Sequence, residues 1–134
     1  MSKNQFFRVL SFFIFPAIVF LFSLYIGVVH HAYMLYPWID VPMHFIGGIS
    51  IAFTVVLFLK FFIEKKWIQI RSKFLFVLFV VALVLLIAVF YEFYEFLLKT
   101  LFDVNTQPDV ADTMIDLFLG FLGGLFGGIV FRRI

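Results

Sequence analysis

The chain has no cysteine. Disulfides, zinc–thiolate sites and thiol nucleophiles are therefore excluded. Charge is scarce as well. Only 13% of the residues are Asp, Glu, Lys or Arg, against roughly 25% in soluble domains. With 65% apolar residues, this composition excludes a soluble globular enzyme, a disordered chain and a nucleic-acid-binding module. There is no internal repeat, low-complexity tail or flexible linker. One compact membrane domain over residues 1–134 is expected.

What is abundant is apolar sequence in runs of about 20 residues, the length that crosses a bilayer. Four such runs cover residues 6–29, 41–63, 74–98 and 113–131. Each can cross a hydrocarbon core roughly 30 Å thick at ~1.5 Å per residue. Lipid offers no hydrogen-bond partners, so each must be helical. The expected fold class is all-α, a polytopic four-helix transmembrane bundle. The first run exceeds the h-region of a signal peptide, and no clear small-x-small site follows it. It reads as an uncleaved signal-anchor helix. Pro16 invites a kink early in this span. Pro42 falls in the first turn of the second span, where a missing N–H costs little.

The few charges are segregated. Lys3 and Arg8 precede the first span, and Lys60, Lys65, Lys66, Arg71 and Lys73 cluster between the second and third. Arg132 and Arg133 follow the fourth, so of the ten basic residues only Lys99 lies on the other side. The positive-inside rule then places both termini in the cytoplasm and loops 30–40 and 99–112 outside. Among the acids, only Glu64 is on the basic side. Asp40, Glu92, Glu95, Asp103, Asp109, Asp112 and Asp116 all belong to the outer side. Carboxylates contribute little to topology, so this bias has a separate cause.

The acids come in pairs at helical spacing. Asp40 and His44 open the second span, Glu92 and Glu95 end the third, and Asp112 and Asp116 open the fourth. Separations of three and four put each pair on one helix face. Glu92 lies about 28 Å along the helix from Lys73, near the outer boundary of the hydrocarbon. Three helices thus bring carboxylates and one imidazole to one depth. Capping explains part of this, since Asp40, Asp109 and Asp112 suit helix N-termini. It does not explain Glu92 and Glu95, which sit near a C-terminus where the macrodipole disfavours anions. Nor does it explain Asp116, one turn inside its helix.

Crowded carboxylates in or near a bilayer need compensation. Protonation, Lys99, His44 and a bound cation are the candidates. One lysine cannot neutralise several acids, and a divalent metal answers the problem most economically. An oxygen-rich set with one imidazole and no sulfur suits Mg²⁺, Mn²⁺, Fe²⁺, Ca²⁺ or Zn²⁺. The expected ligands are Asp40, His44, Glu92, Glu95, Asp112 and Asp116, with Glu92 or Glu95 free to act as general base. The Glu-x-x-His motif of soluble di-iron bundles is absent. His30 and His31 are read as an interfacial pair beside Tyr33, Tyr36 and Trp38. Gly120, Gly124 and Gly128, with Gly123 and Gly127 alongside, form a doubled small-xxx-small pattern for close helix packing. Gly47 and Gly48 offer an acceptor surface, and a homodimer face is the competing use.

The order Asp40-x-x-x-His44-Phe45 with Gly47-Gly48, then Glu92-x-x-Glu95, then Asp109-x-x-Asp112-x-x-x-Asp116 resembles the VanZ-like group of small four-helix membrane proteins. It looks closest to the YjdF-type relatives. Val41, Glu95 and Asp116 replace the lysine, glutamine and asparagine of the VanZ pattern, which makes this chain more acidic. The resemblance implies a bacterial or archaeal cytoplasmic membrane and no established reaction. Three functions fit the residues. One is a metal-dependent hydrolase of lipid or lipid-linked envelope substrates. Another is a cation-binding or transport protein, and the third is a structural assembly partner.

Overall fold

A computed structural model describes residues 3–102 and 109–134; Asp103 and most of the loop before Asp109 lie outside them. The described residues are helical, with no strand among them. Helices α1 (Lys3–Ser11) and α2 (Ile14–Leu24) come first, and α2 runs on into a π turn over Tyr25–Val29. A short α3 (Ala32–Leu35) and a 3-10 turn (Pro37–Ile39) lead into α4 (Asp40–Glu64). Then follow α5 (Lys73–Phe102) and α6 (Val110–Phe131). Three helical stretches are long and apolar enough to cross a membrane: Pro37–Glu64, Lys73–Phe102 and Val110–Phe131. The bent pair Lys3–Ser11 and Ile14–Gly27 makes a fourth if it is one span. The protein is thus an all-α polytopic membrane protein.

The first span is broken rather than gently kinked, with 41° between its halves. The break falls at Phe12–Phe13, four residues before Pro16 rather than at it. The cause is the missing proline N–H, which would have bonded the carbonyl of residue i−4. That carbonyl belongs to Phe12, and it accepts instead from the buried Thr54 hydroxyl of α4 at 2.7 Å. Contacts along the broken helix run in reverse order along α4. Arg8 pairs with Glu64 at 2.8 Å. Phe12 packs on Phe61 and Phe58, and Phe15 on Phe53. The segment from Arg8 to Phe15 therefore runs antiparallel to the Phe53–Glu64 half of α4.

Helix α4 ends without glycine. Lys66 adopts the left-handed conformation at φ 62°. The Lys66 and Trp67 amides bond the carbonyls of Ile63 and Phe62, and the Trp67 and Phe62 rings lie 5.6 Å apart. This is a Schellman stop with its hydrophobic contact.

Helix α6 packs against both α4 and α5 through its glycines. A Cβ at Gly48 would come 2.5 Å from Gly120 O, and one at Gly123 would run into Phe45 O. A Cβ at Gly127 would lie 2.7 Å from Ala52 Cβ. On the other side, Gly124 faces Val84 and Gly128 faces Val80 at 3.0 and 3.3 Å, and Gly120 faces Ala88 at 3.5 Å. The two glycine stripes thus serve two different neighbours within one chain, and all five glycines are buried. Gly47 does not share the role expected of it; nothing lies within 4 Å of an added Cβ there. An apolar core of Ala52, Val55, Val56, Leu59, Phe76, Val80 and Val84 fills the half of the bundle nearer the basic end. Large side chains such as Phe79, Leu86, Phe90, Phe118 and Phe126 point outward, as lipid contact allows.

Two outcomes test this packing. Gly48→Ala should lower the stability of the purified protein in detergent by about 1–3 kcal/mol through overpacking. Gly47→Ala should leave it unchanged or raise it by roughly 0.5–1 kcal/mol, because alanine restricts the unfolded chain; thermal unfolding of the pair reads the difference. Thr54→Val strands the Phe12 carbonyl and should cost about 1–3 kcal/mol in the same assay, with earlier protease cleavage near Phe13.

Candidate metal centre

The site lies where the glycine contacts end. Along α5 and α6 the facing pairs are Val80–Gly128, Val84–Gly124 and Ala88–Gly120. One further step of four residues brings Glu92 level with Asp116. Along α4 and α6, Gly48 meets Gly120, and one turn earlier His44 meets Asp116. The backbone contact at Gly48 and Gly120 therefore fixes the spacing of the polar groups one turn above it.

His44 is the hub. Its Nε2 lies 3.4 Å from Asp40 Oδ1 on the same helix and 3.7 Å from Asp116 Oδ1 on α6. Two groups of side chains place ligand atoms within 4.8 Å of one another: Asp40, His44 and Asp116, and His44, Glu92 and Glu95. Both include His44, so four of the expected carboxylate ligands gather around one imidazole. Glu92, Glu95 and Asp116 are buried. Asp116 is only 3% exposed, which for a carboxylate in an apolar bundle demands a partner.

Asp112, the sixth expected ligand, stands outside both groups. It is half-buried in the first turn of α6, and its amide donates to Asp109 Oδ1 at 3.0 Å. Asp109 is thus the N-cap of α6. Asp40 plays no such part: the N-cap of α4 is Ile39, and the Asp40 carboxylate turns to His44. Asp109 thus serves as a cap and Asp40 belongs to the cluster, while Asp112 takes neither role. His30 and His31 are exposed and belong to neither group. The His30 ring stands edge-on to Tyr25 at 5.0 Å, and His31 takes the left-handed conformation that starts α3.

One tyrosine joins the site that spacing did not reveal, and a second lies within the field of its acids. The Tyr91 ring stands edge-on to the His44 imidazole, with centroids 5.8 Å apart. Tyr33 lies over Gly27, where an added Cβ would touch its ring at 2.9 Å, and its hydroxyl shares a hydrogen bond with Ser23. Burial raises the Tyr33 pKa above its ordinary value. The Ser23 bond opposes the rise, and the charges of Asp40 and Glu95 add to it. Tyr33 thus remains a neutral phenol within the field of the acidic cluster.

The fold and the site together define a class: an all-α membrane protein whose span ends converge on a carboxylate–imidazole cluster. The chain belongs to the family described as predicted membrane protein (DUF2238), whose model matches residues 1–134. No curated protein and no solved structure matches it.

The division of the acids is testable. Asp109→Ala should cost ~1 kcal/mol through the lost cap and leave divalent-cation binding unchanged. Asp40→Asn should reduce cation binding and leave the start of α6 intact. Isothermal titration and thermal unfolding of both variants separate the roles.

Proposed function

We propose that the protein is a metal-dependent membrane hydrolase acting on lipid or lipid-linked envelope substrates. The observation that carries this reading is the convergence of four carboxylates from three helices on one histidine, most of them buried. Asp40, His44 and Asp116 supply the better-defined ligand set, and Glu92 and Glu95 stand beside the same imidazole. An oxygen-rich donor set with one nitrogen suits Mg²⁺, Mn²⁺, Fe²⁺ or Zn²⁺. Such an ion, when bound, supplies an acidified water and a polarised phosphoryl or acyl oxygen.

The chain's own groups do the rest. Whichever of Glu92 and Glu95 is not a ligand accepts the proton of the attacking water. An apolar cleft of about 280 Å³ lies between α2 and α5, lined by Phe20, Ile87, Phe90, Tyr91 and Tyr94. Tyr91 joins this cleft to His44, so an acyl chain in the cleft would place its polar end at the cluster. The charge distribution supports both termini inside and the site at the outer boundary, and the VanZ-like resemblance implies a prokaryotic cytoplasmic membrane. The order of the acidic motifs supports kinship with the VanZ-like and YjdF-type proteins.

Transport through a single copy has less support. Beneath the site, Ser50 donates to Gly47 O and Thr54 to Phe12 O and Ser50 O. These hydroxyls are committed to the backbone.

Metal analysis of the purified protein is the first test. Wild type should carry stoichiometric Mn, Fe or Zn, or bind Mg²⁺ reversibly. His44→Ala and Asp116→Asn should lose it, and Asp112→Asn should keep it. Metal at about 100 times its dissociation constant should add about 2.7 kcal/mol of stability. A protein without bound metal, unmoved by chelator or added cations, sinks the proposal. If metal binds, hydrolysis of phosphate or ester bonds in lipid substrates should follow; binding without any turnover favours a cation-binding protein.

A further inference from the structure

The opposite end of the bundle carries a second charged cavity. About 460 Å³ of space lies between the start of α5 and the end of α6, and Arg71, Lys73, Arg132 and Arg133 line it. Buried Phe76 forms an apolar wall. The volume falls within the range of small-ligand sites.

Among the described residues the cations here have no acidic side-chain partner. Among the described residues Glu64 is the one acidic side chain near this end, and it pairs with Arg8 at 2.8 Å. Among the described residues no carboxylate pairs with Arg71, Lys73, Arg132 or Arg133. Lys73 opens α5, where the helix dipole is positive and disfavours a cation. Ser72 caps the helix by accepting from the Leu75 amide at 3.3 Å. The amides of Lys73 and Phe74, ahead of it, have no acceptor within the helix. Four side-chain cations and a helix N-terminus thus face one cavity with an apolar wall.

We infer that this cavity binds a phosphate-bearing anion, and that the ligand is an anionic phospholipid headgroup. Arginines fork onto phosphate oxygens, and lysine and the helix amides add donors. Basic pockets between transmembrane helices recognise anionic headgroups in this way. The apolar wall at Phe76 and the outward-facing Phe79 and Leu75 of α5 offer the start of a path for acyl chains. This inference does not depend on the metal proposal, since the two sites lie at opposite ends of the bundle.

The test is binding to the full-length protein in neutral detergent. The probes are short-chain phosphatidylglycerol, short-chain phosphatidylcholine and inorganic phosphate, read by thermal shift and native mass spectrometry. Phosphatidylglycerol should bind and stabilise, and phosphatidylcholine should not. The double variant Arg132→Gln with Arg133→Gln should weaken binding by roughly thirtyfold. A double variant Lys65→Gln with Lys66→Gln removes equal charge from the adjoining loop and should bind as wild type does. Equal weakening in both doubles, or equal binding of the two lipids, overturns the inference. A shift with phosphate as large as with lipid overturns the lipid assignment and gives the cavity to a soluble phosphate. Should the arginine double fail to fold, Arg71→Gln, on the exposed loop, carries the same comparison.

Discussion

The arrangement depends on how closely α6 approaches its two neighbours. In lipid there is little hydrophobic drive to bring helices together, so packing and polar contacts must hold them. Small residues supply the packing here. Gly123 and Gly127 admit the backbone of α4, while Gly124 and Gly128 admit Val84 and Val80 of α5. Contacts this close leave no freedom for α6 to slide or turn. The polar groups inherit that precision. His44 and Asp116 stand one turn beyond Gly48 and Gly120, and Glu92 stands one turn beyond Ala88. The glycines hold the site in register without lining it.

Charge is distributed against the grain of one helix and with the grain of another. Helix α6 begins with Asp109 and Asp112 and ends at Arg132 and Arg133, as its dipole favours. Helix α5 does the reverse. Lys73 stands at its N-terminus, and Glu92 and Glu95 lie towards its C-terminus. Both departures cost energy, and both fall beside a cluster of like charge from α6 or α4. Local rules are broken where something outside the chain is expected to restore the balance. The two ligands proposed above, a cation at the acidic end and an anion at the basic end, would each restore it. The positive-inside bias explains why Lys73 is tolerated on that side; it does not explain the convergence of four cations on one cavity.

Much of this was legible in the sequence. Hydropathy gives the three continuous spans to within a few residues, since bilayer thickness sets their length. Spacings of three and four correctly group Asp40 with His44 and Glu92 with Glu95. Rotation and depth are what periodicity leaves open. Gly47 and Gly48 are neighbours, yet about 100° of helix rotation separates an open face from a backbone contact. Asp112 and Asp116 share a face, and one turn of depth puts the first in the turn capped by Asp109 and the second in the cluster. Tyr91 and Tyr33 carry no signal in a chain that is 22% aromatic. Pro16 marks the break in the first span, but the break appears at Phe12, where the unbonded carbonyl is.

The bundle is not equally firm on all sides of the site. Helices α4, α5 and α6 meet through buried glycine, valine and alanine, with little room to adjust. Helices α1 and α2 contribute no buried residue. They are held by Arg8–Glu64, by the Thr54 bond to Phe12 O at the break, and by edge-on phenylalanine pairs. Apart from those at Phe12 and Thr54 these contacts are not buried, and local opening is easiest where buried contacts are few. The cleft lined by Phe20 on α2 and by Ile87, Phe90, Tyr91 and Tyr94 on α5 lies on this weaker side. The proposed hydrolysis would need rigid ligands and an entrance. The glycine-packed helices offer the first, and the cleft between α2 and α5 offers a place for the second.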